Sequence, residues 1–197
     1  MGQKEDLIKE DLKEISDKYL ALLKPHYNDA VKYTFALCYK FTKEDAEDLF
    51  QQTLLDSFQK FSQLKEESKF KSWLFTIITR KFYELNRKAI LKRLIPLHYD
   101  QDTVSFPEVF RDFENEDNRE LVKRSLNILS TKEKSALLLF ELSGFSIEEI
   151  MEIQKERTAS AVKTRLSRAR KKLKEFIEKE NAKEEMGFGK VKLKGVV

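Results

Sequence analysis

The residues best equipped for chemistry in this 197-residue chain are cations and aromatic rings, not nucleophiles or metal ligands. The stretch 70–88, FKSWLFTIITRKFYELNRK, carries Lys71, Arg80, Lys81, Arg87 and Lys88, with Phe75, Phe82 and Tyr83 set among them. Cations neutralise phosphates and ring faces receive unstacked bases, so this mixture suits a nucleic-acid strand. A second basic run lies between Lys155 and Lys174, where nine Lys or Arg residues meet one acid, Glu156. Solvated helix faces normally mix Glu with Lys, because i,i+4 pairs support the helix. This one does not mix.

Other chemistries find little support. His26 and His98 stand far apart, with no Cys or carboxylate spacing that suggests a metal site. Gly187 and Gly189 follow no strand, so no phosphate-cradling loop is expected, and the chain is not expected to be an enzyme or to need a cofactor. A single cysteine, Cys38, cannot form an internal disulfide and reads as a small core residue. No window approaches the apolar length of a membrane span, and the acidic N-terminus does not read as a signal peptide, so a cytoplasmic protein is expected.

The elements that must position the basic runs are helices. Glycine is scarce, with only Gly144 inside the expected folded body, and the prolines are Pro25, Pro96 and Pro107. Residues 1–24 carry an apolar stripe (Leu7, Ile8, Leu12, Ile15, Tyr19, Leu20 and Leu23) and read as an N-terminal helical extension closed by Pro25. A helix over about 29–40 follows. Thr42, with Asp45 three residues on, opens the next, whose outward face is polar through Asp45, Asp48, Gln51, Gln52 and Asp56. In the 70–88 stretch, Phe70, Trp73, Leu74, Ile77, Ile78 and Leu85 form the expected core-facing stripe. From Pro96 the composition turns acidic and aperiodic, as in a linker, though Phe106, Val109, Phe110 and Phe113 argue for contact with a partner or neighbouring module.

Beyond the linker, Ser130-Thr-Lys-Glu133 and Ser146-Ile-Glu-Glu149 are capping-box patterns, and Gly144 between them suits a helix C-cap. A short helix, a turn and a longer helix with apolar Val162, Leu166, Ala169 and Leu173 describe a helix-turn-helix. The leading residues of its second helix, Ser160, Lys163, Thr164, Arg165 and Arg168, are then expected at DNA. The expected fold is all-α, with two small helical domains at 25–94 and 118–180, a linker at 95–117 and a flexible tail at 181–197.

Three runs in order resemble a known family. DAEDLFQQTLLDSF (45–58), FKSWLFTIITRKFYELNRK and LSTKEKSALLLFELSGFSIEEIMEIQ…SAVKTRLSRARKKLKEF are similar to the motifs of extracytoplasmic-function sigma factors of bacterial RNA polymerase, in the sigma-70 family. The resemblance implies that the first domain is sigma region 2 and the second sigma region 4. It implies that Asp45, Asp48, Gln51, Gln52 and Asp56 bind the clamp of the polymerase largest subunit. It implies that the −10 element is opened by Lys60, Phe61, Lys69, Lys71, Arg80, Lys81, Tyr83 and Arg87. The helix-turn-helix would read the −35 element while docking on the flap of the second-largest subunit, and an anti-sigma factor would be a further partner. Gln52, Arg80 and Glu84 depart from the family pattern, which has Glu, Asn and Asp there, and the turn Gln154–Thr158 lacks its usual glycine. Two rival readings are a helix-turn-helix regulator and an adaptor that binds polymerase or an anti-sigma factor without opening promoters.

Overall fold

The structure is a computed structural model that describes residues 2–93 and 116–187, with side chains described over 12–91 and 121–182. Most of the expected linker, with its four apolar residues, and the end of the tail lie outside the described residues, as do the side chains of Leu7 and Ile8. The described residues form eight α-helices and no strand: α1 (Gly2–Leu23), α2 (Tyr27–Leu37), α3 (Lys43–Gln59), α4 (Phe70–Arg93), α5 (Glu116–Asn127), α6 (Thr131–Glu141), α7 (Ile147–Gln154) and α8 (Ala159–Gly187). The all-α expectation holds, with α1–α4 in one group and α5–α8 in the other. The last helix runs past residue 180 to Gly187, because NAKEEM contains no breaker.

Helix starts follow the capping chemistry. Thr42, Ser130 and Ser146 each accept from the backbone N–H three residues on, and Asp45, Glu133 and Glu149 return the bond to the cap N–H. Gly144 ends the α6 segment at φ 68°, a left-handed conformation that glycine adopts without a side-chain penalty.

α4 is the central helix of the fold, and its buried stripe differs from the expected one. Phe70, Leu74, Phe75, Ile78, Thr79 and Phe82 are buried, while Trp73, Ile77 and Leu85 are only partly so. The buried arc is turned and widened because α4 packs on α2 and α3 on one side and on α6 and α7 on the other. Phe75 and Phe82 are therefore core rings and not part of a strand-binding surface. Phe75 lies beside Tyr33 and, edge to face, against Phe145 of the second group at 4.9 Å between centroids. Each such fully buried ring stabilises the fold by about 1.5–3 kcal/mol. The hydrophobic core runs unbroken from Tyr19 to Ala169 through both groups.

The first group is knitted by hydroxyls as well as rings. Tyr33 and Thr79 share a buried hydrogen bond of 2.9 Å between α2 and α4, and Tyr19 of α1 bonds Ser57 of α3 at 2.7 Å. The Tyr19 ring stands edge-on to Phe58, Phe61 and Phe70, which anchors α1 beneath the connection between α3 and α4. That connection is two single 3₁₀ turns, Phe61–Gln63 and Glu67–Lys69.

Candidate nucleic-acid interface

The outward face of α3 presents Asp48, Gln51 and Gln52 to solvent. Asp45 is half-buried and is spent on the helix cap, where its carboxylate accepts from Thr42 N–H at 3.2 Å. Asp56 faces α4 and pairs with Lys81 at 2.9 Å and Lys60 at 3.6 Å. The hydrogen bond from Lys81, followed by the fields of both ammonium groups, holds the Asp56 carboxyl below its ordinary value. Sequence reasoning missed Leu55, which stands 56% exposed beside this acidic face. Its signal was spacing: 48, 52 and 55 fall on one helical stripe, where an apolar residue among polar ones is out of place.

The residues expected at the −10 element divide into two sets. Lys60, Lys69, Arg80 and Arg87 are exposed. Phe61 is not, being 8% exposed and packed edge-on against Tyr19 and Phe70; its apolar ring is drawn into the core that α1 completes. Lys81 is held by Asp56. Lys71 and Tyr83 are engaged by the second group. The Lys71 ammonium donates to the Ser143 carbonyl at 2.7 Å and lies 4.5 Å from the Phe145 ring centroid, while Tyr83 Oη and Ser135 Oγ are 2.7 Å apart. Burial, the larger effect, raises the Tyr83 phenol above its usual value against the lowering bond from Ser135.

On α8, Ser160, Lys163, Thr164, Ser167 and Arg168 are exposed and lie on one helical face. Thr158 Oγ1 accepts from Ala161 N–H at 3.2 Å, capping the helix that carries them. Arg165 turns inward instead. Its guanidinium donates to Gln154 Oε1 and, at 2.8 Å, to Glu156 Oε1. Gln154, almost fully buried, in turn donates to the Lys132 carbonyl and to Ser135 Oγ, so Arg165 ties the start of α8 to the turn and to α6. The basic run is also less one-sided than its count suggests. Arg170 pairs with Glu141 and Lys172 with Glu133 across the module, and Lys171 and Lys174 find acids one turn on. Lys163 and Arg168 make no ion pair among the described residues. The turn that lacks glycine places Lys155 at φ 52°, ψ 44°, the left-handed residue expected to fall on a side chain. Such a residue costs about 1 kcal/mol relative to glycine.

Two exposed cationic faces on separate helical modules, one beside an acidic helix and one on a helix-turn-helix, are a transcription factor's equipment. The sigma-70 region 2 family matches residues 23–90 and the sigma-70 region 4 family matches residues 119–173. The chain belongs to the sigma-70 family. Within it the chain is an extracytoplasmic-function sigma factor, which binds core RNA polymerase and directs initiation at promoters through their −10 and −35 elements. RNA polymerase sigma factor SigV of Bacillus subtilis is 27% identical over 149 residues, covering 76% of this chain and 86% of SigV. The sigma factor RpoE of Bartonella quintana, solved with the anti-sigma factor NepR, superposes with a TM-score of 0.62 at 27% identity, covering 84% of this chain and 98% of RpoE. CnrH, solved with the cytosolic domain of CnrY, shares the fold with a TM-score of 0.60 at 21% identity, over 83% of this chain and 89% of CnrH. Among the described residues no helix is long and apolar enough to cross a membrane, and no cluster of side chains could hold a metal ion.

Proposed function

We propose that this sigma factor divides its work among three exposed surfaces. Asp48, Gln51, Gln52 and Leu55 on α3 form the polymerase-binding surface, an apolar residue seated in a polar, acidic rim. Asp45 and Asp56 support it, the first by starting the helix and the second by tying it to α4. Lys60, Lys69, Arg80 and Arg87, joined by Lys71 and Tyr83 when these are released, receive the −10 strand. Ser160, Lys163, Thr164, Ser167 and Arg168 enter the major groove at the −35 element.

The observation that carries this division is α3 itself: its outward stripe is left uncovered while its inward stripe is packed into the core of the first module. An acidic, partly apolar face suits a basic or mixed partner surface such as the polymerase clamp. An anti-sigma factor, of the kind that accompanies RpoE in its solved complex, fits as a further partner in the cytoplasm. The functional modules are residues 25–94 and 118–180, with the chain between them as linker.

Run-off transcription with core polymerase on a promoter library tests the reading and reveals the sequence read. Specific starts that depend on this chain are expected. Arg80→Ala with Arg87→Ala is expected to slow promoter opening, scored by permanganate reactivity, with core affinity unchanged. Absence of any core-dependent start, or failure to bind core in a pull-down, overturns it.

A further inference from the structure

Lys18 of α1 and Glu67 of the α3–α4 connection form an ion pair of 2.6 Å that belongs to none of the three proposed surfaces. The sigma-70 region 2 family matches from residue 23 onward, so Lys18 lies before the matched segment. Both side chains are more than half exposed, and a pair so open to solvent adds little to the stability of the fold. Its place, however, is set firmly. Tyr19, the next residue, is buried, with its ring against Phe58, Phe61 and Phe70. The Tyr19 hydroxyl donates to the Leu54 carbonyl at 3.3 Å and lies 2.7 Å from Ser57 Oγ.

The connection has little else to hold its far limb. Its first 3₁₀ turn, Phe61–Gln63, is pinned by the buried Phe61 ring and closed by a bond from Leu64 N–H to the Phe61 carbonyl. Leu64 and Glu66 are extended and lead out to the second turn, Glu67–Lys69. Every residue from Lys65 to Lys69 is exposed. The one hydrogen bond or ion pair that any of these five side chains makes among the described residues is that of Glu67 with Lys18.

Charge adds a second argument. The connection presents Lys60, Lys65 and Lys69 to solvent, but also Glu66 and Glu67. An acid on a surface that receives phosphates repels the ligand, so its presence there calls for another use. Pairing with Lys18 gives Glu67 one, because it fixes the turn two residues before Lys69.

We infer that Lys18 and Glu67 are positioning residues for strand capture: α1, anchored by Tyr19, braces the far limb of the α3–α4 connection through this pair and holds Lys69 where the −10 strand meets it. The inference rests on the −10 assignment proposed above. A braced limb is ordered before the strand arrives, so less freedom is lost on binding.

Two neutral substitutions separate bracing from charge, because the two effects differ in sign. The test uses holoenzyme reconstituted from core polymerase and the full chain. The probe is a fluorescent single strand carrying the −10 element of a promoter found by run-off transcription. Acting through charge alone, Glu67→Gln would bind the strand more tightly and Lys18→Met more weakly, with the double variant near wild type. Bracing predicts instead that both single variants and the double variant bind about three- to tenfold more weakly. The double variant should lose no more than either single one, because the two residues act as a unit. Melting midpoints should stay nearly unchanged, as an exposed pair requires. Equal or tighter binding by Glu67→Gln overturns the inference, and so does a double variant whose loss is the sum of the two single losses. Arg80→Ala with Arg87→Ala checks the underlying reading. If that variant binds the strand as well as wild type, the −10 assignment fails first, and the inference falls with it.

Discussion

Asp56 of α3 and Lys81 of α4 are salt-bridged at 2.9 Å, so a residue expected to hold polymerase and one expected to hold DNA are partners of each other. The bridge ties α3 to α4, which makes it a positioning contact for the two surfaces proposed above. Both side chains are partly exposed, so its worth to stability is modest, up to about 1 kcal/mol. The Asp56 carboxyl titrates below its ordinary value. Its contribution is therefore complete above the unfolded carboxylate range and is lost as pH falls through the folded value. Asp56→Ala should lower Tm at neutral pH by only a few degrees, and the difference from wild type should vanish in strong acid. A double-mutant cycle with Lys81→Ala, read by thermal melts, measures the coupling.

A larger pH effect is expected at the seam between the two groups of helices, where α2 meets α6. Lys134 of α6 is 5% exposed, with its ammonium 4.3 Å from the Tyr39 ring centroid and near Cys38 and Lys40; no carboxylate pairs with it among the described residues. Burial, followed by the Lys40 charge, pulls it down to about 7. A lysine freed by opening returns to about 10.4. The closed state then holds fewer protons than the open state, so closure is disfavoured most fully below pH 7. It gains up to about tenfold per pH unit as pH rises from about 7 towards 10. Lys134→Met should close the seam further and flatten that dependence, as read by energy transfer between dyes placed on the two modules.

Much of this architecture was legible in the sequence, for local reasons. Thr42, Ser130 and Ser146 announce helix starts through side-chain chemistry that operates within four residues, and Gly144 announces a stop in the same way. What was not legible depends on contacts distant in the chain. Phe75 and Phe82 looked like surface rings because nothing local shows that α6 and α7 return to cover α4. Arg165 looked like a groove residue because its partners, Gln154 and Glu156, lie across a turn whose shape is not written in local residue types. Leu55 was hidden for the opposite reason: an apolar residue in a helix is expected inward, and only the packed structure shows it outside.

Lys155 offers a test of the helix-turn-helix turn. Its left-handed backbone carries a side-chain penalty, and the side chain itself is exposed. Lys155→Gly should therefore stabilise the second module by up to about 1 kcal/mol, seen as a higher Tm. A fall in stability would mean that the turn adopts another conformation.

The two arginines of α8 should behave differently, and salt dependence separates them. Arg168 is exposed on the same face as Ser160, Lys163 and Thr164, without an ion pair among the described residues. Arg168→Ala or Lys163→Ala should leave Tm nearly unchanged and reduce the log–log salt slope of −35 DNA binding by about 0.9 for each phosphate no longer neutralised. Arg165→Ala removes donors from the buried Gln154 amide oxygen and from Glu156, whose carboxyl is held low by Lys132 first and then by Arg165. An unsatisfied buried group costs about 1–3 kcal/mol. That variant should melt several degrees lower and weaken DNA binding by depleting the folded module, with the salt slope of the remaining binding unchanged. A slope reduced by Arg165→Ala at an unaltered Tm would place its guanidinium on the DNA and reverse the assignment.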